Sequence, residues 1–153
     1  RSPRRSMTRL RPDTPYTPTT MQLLPASLVE EFRRFPLHSQ DGKGDDALVV
    51  CKFFDPCGRY TFFVTEGEPV SDDRGPILTE AGEPEWDFFG YCLSPLGEDC
   101  DEWGYLTLSE LRSARGRLGL GIERDLAVLP GKKTVASFTR RSTTNAPATD
   151  TNS

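Results

Sequence analysis

The apolar residues along the chain fall into two periods. Leu24, Leu28, Val29 and Phe32 recur at helical spacing, with Glu30, Glu31, Arg33 and Arg34 outside them. Pro25 suits a first helical position and Pro36 a stop, so a short amphipathic helix is expected over 25–35. The next segments are extended. Ala47–Phe54 (ALVVCKFF) and Arg59–Glu66 (RYTFFVTE) are rich in β-branched and aromatic residues, and Asp55-Pro56-Cys57-Gly58 places turn residues between them. This predicts a hairpin. Trp86–Leu93 (WDFFGYCL) reads as a third strand with Gly90 marking a bulge, and Trp103–Leu106 enters a fourth strand or leads straight into a helix.

The most ordered signals lie between Trp103 and Asp125. Thr107 with Glu110 three residues later has the capping-box spacing, in which the hydroxyl takes an orphan amide and the carboxylate reaches back. Leu108 and Leu111 then share a face, and a helix is expected to run until Gly116. Gly119 and Gly121 form a turn, and Ile122–Leu129 reads as a strand closed by Pro130 and Gly131. The connections at 67–85 and 94–102 are polar and read as loops, the first long and holding Asp72 and Asp73. Asp72 and Asp73 hint at a cation, but a solvated loop is favoured. After Pro130 the composition turns to Thr, Ser and Asn, which predicts a disordered tail in which Thr134–Phe138 (TVASF) offers at most an edge strand.

Phe53, Phe54, Tyr60, Phe62 and Phe63 supply more aromatic surface than one sheet face needs. The second face must then be covered by one of the two helices or by a partner. The fold expected is α+β, an antiparallel sheet of four to five strands with two short helices packed on it, in one domain over 21–130.

Four blocks in fixed order, LLPASL, CKFFDPCGRYTFFVTEG, GYLTLSEL and GLGIERDLAVLP, resemble the small bacterial domain-of-unknown-function family numbered 2958. The resemblance spans Met21 to Pro130. It implies a compact α+β domain of a kind often encoded on plasmids, phages and integrative elements, and it implies no particular activity. Members begin near the LLP block, so Met21 is the expected start of the unit. Residues 1–20, rich in Arg, Pro and Thr, are expected to be a disordered basic leader.

Charge sharpens the functional classes. The formal net charge is −4, yet residues 1–20 carry five arginines against Asp13, and residues 131–153 carry two lysines and two arginines against Asp150, which leaves −11 on residues 21–130. Such a body repels phosphates, so nucleic acid is an unlikely partner except through the basic ends. The chain has neither an apolar run long enough to span a bilayer nor a secretory signal pattern, and a cytoplasmic protein without membrane partners is expected. Cys51, Cys57, Cys92 and Cys100 contain no CxxC pair and His38 is the one histidine, which argues against a zinc site; Cys51 and Cys92 read as core residues. His38 lies in a polar run and reads as a solvated side chain.

No nucleophile elbow, phosphate loop or paired His/Cys set is present, and no catalytic residue, metal ligand or cofactor is assigned. The candidate binding residues are charges near strand ends, Lys52, Glu66, Glu102, Glu123, Arg124 and Asp125, together with Tyr105. If the carboxylates converged on one rim they would suit a divalent cation or an acid/base pair; ion pairs that fix strand ends are the competing account. The leading expectation is an acidic, non-enzymatic accessory or interaction module whose partner is another protein. A metal-dependent hydrolase or nucleic-acid-processing enzyme and a nucleic-acid binder acting through basic tails are the alternatives.

Overall fold

The computed structural model describes residues 23–116 and 119–143. The leader at 1–20 and the part of the tail beyond 143 lie outside these. The elements in order are α1 (Ala26–Phe32), β1 (Cys51–Phe54), β2 (Thr61–Pro69), β3 (Ser71–Asp72), β4 (Gly75–Pro76), β5 (Trp86–Leu93), β6 (Glu102–Thr107), α2 (Leu108–Ser113), β7 (Glu123–Arg124) and α3 (Val135–Thr143). Five strands form one antiparallel sheet in the order β6-β5-β2-β1-β7, and β3 and β4 form a separate two-stranded hairpin. The α+β expectation holds.

The helix-covered face is the main core. Cys51 and Phe53 of β1, Phe62 and Val64 of β2 and Trp86 and Phe88 of β5 point to it, and Leu28 and Phe32 of α1 and Leu108 and Leu111 of α2 close it. Its centre is aromatic: Phe32 lies 5.5 Å from both Trp86 and Phe88, ring centre to ring centre, and Phe53 lies 5.9 Å from Phe88. Tilted and edge contacts of this kind add to the burial of four large rings. The Thr107–Glu110 capping box is formed in both directions, and Thr107 is at once the last residue of β6 and the cap of α2.

The opposite face is covered over β1 and β2 by α3. Residues 131–135 zip against 47–49 through Gly131 N–H to Val49 O, Val49 N–H to Lys133 O and Val135 N–H to Ala47 O. Val135 is fully buried against Val49 and Phe63, and Phe138 stacks on Phe63 at 5.2 Å. The part of the expected disordered tail at 131–143 is thus an ordered layer. Edge pairing at 134–138 is confined to a single bridge, Thr134 to Leu48. A helix follows because the Thr134 hydroxyl accepts the Ser137 amide, an N-terminal capping contact, and because Val135 and Phe138 fall on one helical face.

Three further expectations change. The long polar connection at 67–85 is built: β2 runs on to Pro69, β3 and β4 pair, and Val70, Ile77 and Glu85 exchange backbone hydrogen bonds. Within it, exposed Asp72 accepts the Arg74 amide in the hairpin turn. The helix expected to run to Gly116 ends at Ser113, with Ala114 already extended. The strand expected over Ile122–Leu129 is two residues long, because the Asp125 carboxylate accepts the Ala127 amide and turns the chain.

The bulge lies across from Gly90 rather than at it. Val64 pairs with Gly90 and Glu66 with Phe89, so Thr65 is the extra residue on β2. Gly90 is nonetheless required, since a Cβ there would lie 2.0 Å from the Phe63 carbonyl oxygen. Gly90→Ala is therefore expected to lower the unfolding free energy by about 3 kcal/mol, through overpacking against rigid backbone, and chemical denaturation followed by tryptophan fluorescence will measure it.

Candidate functional site

The bulge controls the faces of β2. Before it, Phe62 and Val64 face the helices; after it, Glu66 faces the other way and Gly67 lies against Phe88 and Phe32. Glu66 is 2% exposed, and its two carboxylate oxygens accept the amides of His38 at 2.7 Å and Gln40 at 3.0 Å. Glu68 takes the Leu37 amide. Gln40, also buried, donates to the carbonyls of Leu48 and Thr65, both at 2.8 Å, and accepts the Leu48 amide at 2.7 Å. One side chain thus joins β1's lead-in, the bulge carbonyl and the 37–41 turn. His38 has a positive φ of 75° within this turn, and its Nδ1 lies 3.1 Å from Asp41. It is exposed, but it has a carboxylate neighbour that its spacing in the polar run did not single out.

The sheet order separates the charges considered as one rim. Glu102 is on β6 at one edge; Glu123 and Arg124 are on β7, with Asp125 just beyond it, at the other; Glu66 lies between, held by backbone amides. Lys52 and Asp125 do meet, at 3.3 Å, and Lys52 also lies over the rings of Phe54 and Phe63. Glu123 pairs across from Phe54, and Arg124 pairs across from Phe53 on the core-facing side, close enough to Cys51 to influence its thiol. Among the described residues no group of three His, Cys, Asp or Glu side chains is placed to hold a metal ion.

Tyr105 belongs to a different feature. On the face opposite α1 and α2, Phe89 and Tyr91 of β5 pair with Tyr105 and Trp103 of β6. Their rings form a continuous ladder: Tyr91 to Trp103 at 5.4 Å, Trp103 to Phe89 at 5.6 Å and Phe89 to Tyr105 at 4.8 Å. Tyr105 is 55% exposed and the other three are half-buried. A hollow of about 410 Å³ opens beside Phe89 and Trp103, walled by Gln40, Asp41, Gly42 and Glu66. Acids act on the Tyr91 end of the ladder. Burial, then Asp101, Asp45 and Glu98, raise the pKa of Tyr91, with Arg59 opposing them. Period-two alternation could place Trp103 and Tyr105 on one face, but only the pairing of β5 with β6 brings Phe89 and Tyr91 beneath them.

A larger hollow, of about 620 Å³, lies at the other end of the sheet between Asp55, Arg59, Tyr60, Arg115, Gly116 and Ile122. Both of its arginines are engaged: Arg59 makes a two-pronged contact with Asp101 at 2.7 and 2.9 Å and donates to the Ser94 carbonyl, and Arg115 donates to the Arg112 and Ala114 carbonyls. The Arg59 hydrogen bonding holds the Asp101 carboxyl below its ordinary value. Cys51 and Cys92 pack as apolar residues, as expected, and burial pushes the Cys92 thiol up to about 11. Neither is a thiolate at neutral pH.

A family model described as "Protein of unknown function (DUF2958)" matches residues 23–146. No curated protein and no solved structure matches the chain.

Two outcomes follow from the network and the ion pair. Gln40→Leu leaves one amide and two carbonyls buried without their partner, and a loss of about 3 kcal/mol is expected in urea unfolding. For Asp101, a lowered folded pKa contributes stability that is present above the ordinary carboxylate value of 3.8 and is lost as pH falls through the lowered value. The gap in melting temperature between wild type and Arg59→Leu should therefore be full at neutral pH and shrink at pH values below the ordinary carboxylate range.

Proposed function

The chain belongs to the DUF2958 family, whose function is unknown, and from that premise we propose that it is a non-enzymatic accessory module that acts by binding another protein. The observation that carries this reading is the Phe89–Tyr91–Trp103–Tyr105 ladder. Four aromatic rings lie side by side on a sheet face whose other half is covered by α3, and the outermost of them is more than half exposed. Aromatic residues are the side chains most enriched where proteins meet, because they bury a large area at little rotamer cost. The acids acting on the Tyr91 end of the ladder and the −11 on residues 21–130 suit a basic protein surface and oppose nucleic acid.

Chemistry has less support. The carboxylates that would share a cation are distributed over both edges and the centre of the sheet. Among the described residues no helix is long and apolar enough to cross a membrane. We place the module in the bacterial cytoplasm, encoded on a mobile element and modulating a protein encoded beside it; this last step rests on the family resemblance of its four sequence blocks.

The test is affinity capture with the full chain, wild type against variants, read by mass spectrometry. A stoichiometric protein retained by wild type and by Glu123→Gln/Asp125→Asn, but lost with Tyr105→Ala, is the expected result. Retention by Tyr105→Ala and loss with the β7 double variant would move the interface to the other edge and overturn the reading.

A further inference from the structure

The sheet has two edges, and they are treated differently. β7 is two residues long, consists of the charged Glu123 and Arg124, and is followed at once by Asp125, which pairs with Lys52 of β1 and turns the chain. Short length and charge are the usual means of preventing a strand from pairing with another chain. β6 lacks the short length, and its one charge is Glu102 at its first residue. It is six residues long, pairs with β5 without any register shift, and ends the sheet order. Between Glu102 and Thr107 it reads Trp-Gly-Tyr-Leu, with no proline, no bulge and no charge. An outer strand leaves alternate amides and carbonyls without a ladder partner.

The two faces of β6 differ as well. Trp103 and Tyr105 stand on the aromatic face; Glu102 lies across from Cys92 on the opposite one, where its charge helps raise that thiol's pKa. Gly104 is on the Glu102 side, and a Cβ there would meet nothing within 4 Å, so space is open beside the strand. Glu98 and Asp99 precede this edge in an exposed 3-10 turn.

Deepening the interaction reading above, on which it rests, we infer that β6 is a docking edge that captures an extended basic segment of the partner by strand addition. The added strand would present apolar side chains in register with Trp103 and Tyr105, continuing the aromatic face, and lysine or arginine on alternate positions beside Glu102 and above Gly104. Main-chain hydrogen bonds along β6 supply affinity, and the two unlike faces supply selection for a segment that alternates apolar and basic residues. Charge complementarity names the occupant: Glu102 stands on the edge itself, and the acids that act on Tyr91 and Cys92, Asp45, Glu98, Asp101 and Glu102, face Arg59 as the opposing charge, which Asp101 already engages.

The experiment titrates the full, isotopically labelled chain with a short peptide alternating valine and lysine, with its valine–glutamate counterpart as control, and follows backbone amide shifts and hydrogen exchange. Binding of the lysine peptide is expected to shift and protect amides of β6, to weaken with salt, and to fall roughly tenfold in Tyr105→Lys, at a position that is 55% exposed. Glu102→Lys should weaken it in the same sense, and unchanged melting curves for both variants separate lost docking from lost structure. Equal binding of the glutamate peptide, shifts confined to residues away from β6, occupation of the edge by a second copy of the chain at high concentration, or preference for a single-stranded oligonucleotide would each overturn strand addition by a basic segment. If β6 fails in this way while Tyr105→Ala still abolishes capture of a protein partner, the docking inference falls and the interaction module stands.

Discussion

The extra residue at Thr65 is the constraint on which most of the structure depends. A regular β2 would carry Glu66 into the core beneath α1 and α2, where a carboxylate among Phe32, Phe53 and Phe88 would have no adequate partner. The bulge turns Glu66 to the other face and lets Gly67 lie flush against Phe88 and Phe32. It also frees the Thr65 carbonyl for Gln40, while the Thr65 hydroxyl donates to the Phe89 carbonyl. Glu66 and Gln40 together then hold a turn that includes a left-handed histidine, a conformation that costs energy unless its surroundings impose it. Local irregularity in one strand thus fixes the loop that walls the hollow beside the aromatic ladder.

Much of this architecture was legible in the sequence because its signals are local. The Thr107–Glu110 spacing gave the start of α2, the apolar period gave α1, and the WDFFGYCL run gave β5 with its boundaries. The hairpin of β1 and β2 was legible from the same kind of pattern, although β2 extends three residues beyond the expected end at Glu66. Even the demand for a cover on the second aromatic face could be read from the surplus of phenylalanines. The identity of the cover could not, because α3 is brought onto this face by the pairing of 131–135 with 47–49, more than eighty residues away, which no local pattern encodes.

The candidate site was less legible for a related reason. The sequence pattern puts Glu66, Glu102, Glu123 and Asp125 near strand ends, but β2 runs on past Glu66, and whether strand ends converge or diverge depends on strand order, which no single segment encodes. The order β6-β5-β2-β1-β7 sends Glu102 and Asp125 to opposite edges. Lys52 with Asp125 did come together, since neighbours in an antiparallel ladder are set by register. Tyr105 gains its meaning only with Phe89 beneath it, sixteen positions earlier in the chain, and Gln40 lay in a polar run with nothing to mark it as the most heavily used hydrogen-bonding side chain in the turn.

The position of α3 after every strand of the sheet has a bearing on biosynthesis. As the chain leaves the ribosome, α1, the five strands and α2 are complete before the segment that seals Val49 and Phe63 emerges. For that interval the nascent domain exposes two aromatic surfaces rather than one, the ladder on β5–β6 and the bare patch over β1–β2, on a contiguous sheet face. Nascent chains with such surfaces are the ones most dependent on chaperones or on early capture by a partner. The first turn of α3, which brings Val135 and Phe138 onto Val49 and Phe63, is therefore what closes the second of these surfaces.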